Sequence, residues 1–286
     1  MLRVGVIGCG GMGRDHIRRL TEKIQGAEVV AVSDVFEESA RKAAEICGAK
    51  VYTDSRELIN AEDVDAVFIV SPGFAHVDSL LQAIEAGKRI FCEKPLCTTA
   101  EDCLKVVKAE EAAGKHLIQL GFMRRYDKGY QQIKEALATG EYGEPLILHC
   151  THRNPEVGTN YNTPMAVHDT AIHEIDVLHW LVDDEYESAQ VVMPRVTKYS
   201  HSELKDPQIM MLRTKKGVCI DVEVFVNCKF GYDINCEVVC EDGALKMAQP
   251  AYPSIRKNAA VSSAIDTEFT LLGIRYRQYK ALHRPF

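Results

Sequence analysis

Two polar side chains in this chain have the spacing to work together as acid and base. Asp169 and His173 stand four residues apart, and Asp176 and Trp180 continue the series at i+7 and i+11, so on a helix all four share one face. A carboxylate beside an imidazole orients the ring and raises its proton affinity, as general base chemistry requires. The same pair serves equally as a surface hydrogen bond, so the spacing alone leaves both readings open. Lys94 stands between Glu93 and Pro95, just beyond an apolar run. A lysine at the carboxyl end of a parallel strand reaches the crevice where such folds bind ligands, and there it can donate to a substrate oxygen and help manage its proton. On position alone, a solvated loop lysine fits as well.

The third group is Gly8-Cys9-Gly10-Gly11-Met12-Gly13, which fits GxGxxG. The bare pattern is weak. Here it follows an apolar strand, opens a helix and lies in a strand–helix–strand unit of about 30 residues, and that context makes it specific. Gly8 permits the tight turn, Gly10 lets the backbone approach a pyrophosphate, and Gly13 lets the helix pack against the strand. The N–H groups at the helix start, among them those of Gly11 and Met12, then face the phosphates. Asp34 ends the next strand, about 20 residues on, where a carboxylate accepts from ribose hydroxyls and repels a 2′-phosphate. Val35, Phe36 and Glu37 supply no adjacent arginine, so the expected cofactor is NAD rather than NADP. Asp34 also suits an N-cap for the helix that follows.

These groups need a scaffold. Up to Gly121 the hydrophobic pattern alternates between strand and helix periods. Strands are expected over 2–7, 28–33, 50–52, 65–70, 89–92 and 116–120, with helices over 12–23, 37–47, 76–86 and 100–113. That alternation predicts a doubly wound parallel sheet, a Rossmann domain over 1–121. After Gly121 the pattern changes to helices over 126–138 and 165–181 and strands over 146–152, 188–196, 208–213, 218–226, 232–240 and 244–247. This predicts an α+β domain over 122–252 with a mostly antiparallel sheet. The 165–181 helix is expected to turn Ala171, Ile175, Leu178 and Val182 to the core, opposite the Asp169–His173 face.

Composition narrows the function classes. Against 34 Lys and Arg stand 41 Asp and Glu, a net charge of −7, which makes nucleic acid and anionic membrane poor generic partners. The longest apolar run, 66–70, falls far short of the roughly 18 residues of a membrane span. The ten cysteines are scattered without a CxxC pair, which suggests reduced thiols in a cytoplasmic protein and no metal site.

The glycine loop, Asp34, Glu93-Lys94-Pro95 and the Asp169–His173 pair together resemble the glucose–fructose oxidoreductase and inositol dehydrogenase family. Gly121-Phe122-Met123-Arg124-Arg125-Tyr126-Asp127 and His168-Asp169-Thr170-Ala171-Ile172-His173-Glu174-Ile175-Asp176 resemble the bacterial inositol 2-dehydrogenases within it. The resemblance implies an N-terminal Rossmann domain and a C-terminal domain with an open sheet that binds substrate and assembles, commonly as a homotetramer, and it implies oxidation of a ring hydroxyl of myo-inositol to a ketone with hydride passing to NAD. It makes His173 the base, Asp169 its orienting partner and a ligand of a neighbouring hydroxyl, and Lys94 the donor to the reacting oxygen. It places Met123, Arg124, His152, Asn154, Thr170 and Tyr232 around the polyol, and Val35, Ser71, Pro72, His76 and Glu93 beside the cofactor. The alternatives are a dehydrogenase for another inositol isomer or sugar, and a non-catalytic NAD-binding remnant or regulator. The resemblance fades near Tyr252. Residues 253–286 show no periodicity, and Arg275, Arg277, Lys280, His283 and Arg284 make them basic. They read as a truncated or frame-altered tail, with a genuinely divergent tail as the alternative.

Overall fold

Strands β1 (Leu2–Ile7) and β4 (Ala66–Ile69) are buried along nearly their whole length, as strands covered on both faces must be. They form the centre of the first of two units in the computed structural model, which describes residues 1–247; one unit spans Met1–Gly121 and the other begins at Phe122. With β2 (Ala27–Ser33), β3 (Lys50–Tyr52), β5 (Arg89–Cys92) and β6 (Ile118–Leu120) they make a sheet of order β3-β2-β1-β4-β5-β6. Every pairing in it is parallel, the doubly wound arrangement expected. Side chains alternate between two cores along each strand. Val67, Ile69 and Ile90 face one core, with Leu80 of α4 (His76–Glu85) and Val106 of α5 (Ala100–Ala113). Val4, Val6, Phe68 and Phe91 face the other, with Ile17 of α1 (Gly11–Glu22) and Ala40 of α2 (Glu37–Cys47). A short helix, α3 (Ser55–Ile59), was not anticipated. It is too brief to show periodicity, although Asp54 caps it through the Arg56 N–H and Glu57 completes a capping-box spacing.

The second unit contains α6 (Lys128–Ala138), α7 (Ile172–Val182) and a sheet of order β12-β11-β7-β10-β9-β8. Its strands are β7 (Pro145–Arg153), β8 (Tyr186–Val192), β9 (Gln208–Thr214), β10 (Cys219–Phe225), β11 (Asp233–Cys240) and β12 (Ala244–Lys246). Only β7 and β10 pair in parallel, so the sheet is mostly antiparallel as expected. Leu148, Cys150, Ile220, Val222, Leu212 and Val238 turn inward onto Tyr130, Val177, Leu178 and Leu181 of the two helices. The alternate residues, such as His149, Thr151 and Arg153, face outward. His152 keeps the alternation but is a polar residue among apolar ones. It stands on the inward face and is buried.

The helix expected over 165–181 is divided. Residues Ala166–Ala171 form a wider π turn, and the regular α-helix starts only at Ile172. Tyr161 accounts for the widening. Its buried hydroxyl donates to the Met165 carbonyl (2.7 Å) and meets the Thr170 hydroxyl (2.5 Å), which draws both into contacts outside the normal ladder. Single-turn π segments of this kind are frequent at functional sites. The helix expected from 126 starts instead at Lys128, because Asp127 caps it through the Gly129 N–H (2.7 Å). The strand expected over 188–196 ends at Val192. The tail assigned to 253–286, with 248–252 before it, lies outside the described residues.

Candidate active site

The glycine loop joins β1 to α1 where the strand order of the first sheet reverses, the place where such sheets bind ligands. Gly8 has φ +95°, and a Cβ there would lie 2.4 Å from the Ser71 nitrogen at the end of β4. A Cβ on Gly13 would fall 1.9 Å from the Gly8 carbonyl oxygen. Gly10 and Gly11 differ: nothing lies within 4 Å of an added Cβ at either. The two outer glycines thus close the turn, and the two inner ones leave an open cradle at a helix start with no side-chain cap. This is the shape and polarity that a pyrophosphate fits.

Asp34 is tied into the loop. Its carboxylate accepts from the Cys9 N–H (2.7 Å) and from the Phe36 N–H (2.9 Å), while the helix cap proper falls at Phe36. The remaining lone pairs of the carboxylate suit ribose hydroxyls. Val35 beside it is exposed. Burial pushes the Cys9 thiol up to about 12, with Asp34 adding to the effect, so the cysteine inside the loop stays neutral. The Ser71 hydroxyl is buried without a protein partner among the described residues. Pro72 follows it, exposed, at the start of the turn leading to α4.

Glu93 and Lys94 follow β5 directly, and the Lys94–Pro95 peptide bond is cis. Glu93 meets His16 of α1 at 2.8 Å. His16 is fully buried, with its ring edge against Phe91 and Phe68. The sequence reading missed it. The available signal was a polar residue inside the apolar stripe of α1, between Gly13, Ile17 and Leu20. His76 is buried as well. Its ring nitrogens face the Ser71 carbonyl (2.7 Å) and the Pro95 carbonyl (2.8 Å), so it ties together the loops that carry Ser71 and Lys94.

In the second unit, Asp169 lies in the π turn and His173 in the first turn of α7. His173 is nearly buried, its ring set edge-on to Phe122 and 6.2 Å from the His152 ring. Asp176 and Trp180, expected on the same face, are occupied elsewhere. Asp176 is clamped by the Arg125 guanidinium through Nε and Nη2, and the Trp180 ring faces Lys134 Nζ at 5.6 Å. Met123 and Arg124 belong to a 3₁₀ turn, Met123–Tyr126. Asn154 follows β7 directly, pinned by its own backbone to Phe225 and Cys228. The Thr170 hydroxyl meets Tyr161, as described above.

The strongest polar feature went unassigned in the sequence. Glu174 is completely buried, with one carboxylate oxygen 2.9 Å from Arg124 Nε and the other 2.6 Å from His152 Nδ1. Arg124 Nη2 also donates to the Tyr232 hydroxyl at 3.4 Å, and the Tyr232 ring stands edge-on to His152. Burial works against the charge on each partner, and the pairing outweighs it. Glu174 is held below the usual glutamate range by Arg124 and His152, and Arg124 is raised by Glu174. A charge on the apolar stripe Ala171–Val177–Leu178–Leu181 was the signal for Glu174. Among the described residues no group of His, Cys, Asp or Glu is arranged to hold a metal ion, and no helix is long and apolar enough to cross a membrane.

Residues 2–122 match the oxidoreductase family with an NAD-binding Rossmann fold, and residues 130–246 match the GFO/IDH/MocA C-terminal domain. The inositol 2-dehydrogenase of Klebsiella pneumoniae is 52% identical over 270 residues, which cover 94% of this chain and 80% of that protein. A Shouchella clausii protein described as inositol 2-dehydrogenase/D-chiro-inositol 3-dehydrogenase is 55% identical over 257 residues, 89% of this chain and 74% of that one. The crystal structure of Lactobacillus casei myo-inositol dehydrogenase in complex with NAD(H) and myo-inositol is 42% identical. It superposes with a TM-score of 0.90 over 99% of this chain and 86% of that one.

Proposed function

The chain belongs to the glucose–fructose oxidoreductase and inositol dehydrogenase family, and on that premise we propose that it oxidises myo-inositol at a ring hydroxyl, with NAD as acceptor. The observation that carries the reading is the likeness to the Lactobacillus casei enzyme solved with both NAD(H) and myo-inositol. The charged and amide-bearing lining in the second unit supports it, since a site built to pair many hydroxyls discriminates against analogues that lack them.

In this reading Gly8, Gly10, Gly11, Met12 and Gly13 hold the pyrophosphate and Asp34 the adenine ribose. Ser71, Pro72 and Glu93 contribute beside them, with His76 bracing their loops. The bound cofactor supplies the hydride acceptor. His173 takes the proton of the reacting hydroxyl, and Asp169 orients the ring and stabilises the imidazolium that forms. Lys94 donates to the reacting oxygen and offsets its developing negative charge. Met123, Arg124, His152, Asn154, Thr170 and Tyr232 bind the remaining ring hydroxyls. The first unit thereby serves the cofactor and the second the polyol. Assembly as a homotetramer is part of the same reading, supported by Ile147, Val192 and Met211, which are exposed on the second sheet. A cytoplasmic setting is supported by the ten free cysteines.

The experiment is NADH formation by the purified chain with myo-, scyllo- and D-chiro-inositol and glucose, first with NAD and then with NADP. Turnover of myo-inositol with NAD is expected, and no turnover of any polyol would remove the enzymatic reading. The Shouchella clausii relative favours one second reading, in which D-chiro-inositol is also a substrate. Light scattering on the same preparation tests the tetramer.

A further inference from the structure

Glu174 has no part in the reaction as assigned above, yet among the described residues of the second unit it is the most deeply buried charge. Packing alone does not account for it. An apolar side chain of similar volume generally stabilises a core at least as well as a buried ion pair, because two charges must be stripped of water. A buried carboxylate is more readily understood by what it orients.

We propose that Glu174 is the positioning residue of the polyol pocket, fixing the tautomer and ring orientation of His152 while Arg124 supplies the countercharge that keeps it ionised. The meaning of the pocket rests on the inositol reading; the geometry does not. An ionised carboxylate only accepts hydrogen bonds, so the 2.6 Å contact makes Nδ1 the protonated nitrogen of His152. Nε2 is then the nitrogen left for a ligand, and on a neutral ring it accepts from a hydroxyl. The approach of Arg124 Nη2 to the same Nδ1, at 3.3 Å, is therefore a contact between two donors, held together by the carboxylate between them. The other oxygen of Glu174 stands 2.9 Å from Arg124 Nε as an ion pair without hydrogen-bond alignment, and Arg124 Nη2 reaches the Tyr232 hydroxyl. One carboxylate on α7 thus hydrogen-bonds a side chain on β7 and pairs in charge with one on the Met123–Tyr126 turn. Its chain neighbour is His173, whose ring lies 6.2 Å from that of His152. Backbone displacement at Glu174 would reach the proposed base directly.

The test uses the full chain. Nitrogen-15 spectra of the histidines, with the His152 signal identified by its absence in His152→Asn, are expected to show the Nδ1–H tautomer in the wild type. Glu174→Asp keeps a charge facing Arg124 but draws the carboxylate back by one methylene; Glu174→Gln removes the charge. In both variants the single-tautomer signal should be lost. KM for myo-inositol should rise about tenfold, the scale of one lost polar contact, while KM for NAD stays within about twofold. Glu174→Asp added to His152→Asn should cost little more than His152→Asn alone, since both break one contact. An Nε2–H tautomer in the wild type, an unchanged spectrum in Glu174→Asp, or fully additive effects would overturn the proposal. A lower melting temperature with spectrum and KM unmoved would also overturn it, since Glu174 would then be purely structural. If Glu174→Gln does not fold, Glu174→Asp decides. A wild type inactive on inositol removes the functional reading, and the tautomer still decides what Glu174 does to His152.

Discussion

Alanine at Gly10 and alanine at Gly13 should have opposite effects, although the two positions are three residues apart in one loop. At Gly10 the added methyl has nothing within 4 Å, and the backbone, at φ −66° and ψ −164°, suits alanine. Folding stability should therefore change by only a few tenths of a kcal/mol, the balance of a weaker cap against a stiffer unfolded chain. The methyl occupies the cradle, however. If it holds a pyrophosphate off two backbone N–H groups, two charge-assisted bonds of about 1.5 kcal/mol each are lost, which is about 3 kcal/mol or roughly a 100-fold weaker Kd. At Gly13 the methyl would lie 1.9 Å from the Gly8 oxygen, against at least 3.4 Å for ordinary contact, so helix and loop must separate by about 1.5 Å. Overpacking of this kind costs about 1–3 kcal/mol, a fall in melting temperature of roughly 2–12 °C for a domain of this size. Calorimetric titration with NAD and a thermal melt on each variant separate the two effects. Gly10→Ala binding NAD like the wild type, with an unchanged melt, would refute the cradle. Gly13→Ala melting like the wild type would refute the close packing.

Other outcomes follow from the same geometry. His173→Ala is expected to lower kcat by about 10²–10⁴ and leave NAD affinity unchanged, read by steady-state kinetics and fluorescence titration; equal losses in both would make the histidine structural. Asp34→Ser should weaken NAD at least about tenfold and narrow the NAD/NADP ratio of kcat/KM, through loss of ribose contacts and of the ties to the Cys9 and Phe36 N–H groups. An unchanged ratio would exclude Asp34 from ribose recognition. The lowered proton affinity of Glu174 in the fold also sets a pH dependence. The unfolded chain takes up the proton first, so this contribution is present above about pH 4.3 and is lost as pH falls through the lower folded value. Melts of wild type and Glu174→Gln from about pH 7 to pH 3 should therefore converge at the acid end; parallel curves would count against an ionised Glu174.

Whatever depends on neighbours along the chain was legible before the fold. The glycine loop, Asp34 some 20 residues on and the alternation of strand and helix periods are backbone requirements. Gly8 at φ +95° and Gly13 against the Gly8 carbonyl are met by residue type alone, so the Rossmann half was readable almost element by element. The Asp169–His173 spacing was equally visible. The π turn beneath it was not, because Tyr161 draws its hydrogen bonds out of register from outside the helix.

Glu174 and His16 mark the limit. Each announced itself only as a polar residue in an apolar stripe, which says that a partner is needed and not which one. The partners lie far off in sequence: His152 and Arg124 reach Glu174 from β7 and from the turn after Gly121, and Glu93 meets His16 across 77 residues. A buried charge is tolerable only where packing delivers its counterpart to within about 3 Å. That delivery is made by the layering of helix on sheet, which local pattern does not encode. The chain's order of residues settles what each segment becomes, and tertiary packing alone settles which charges answer one another.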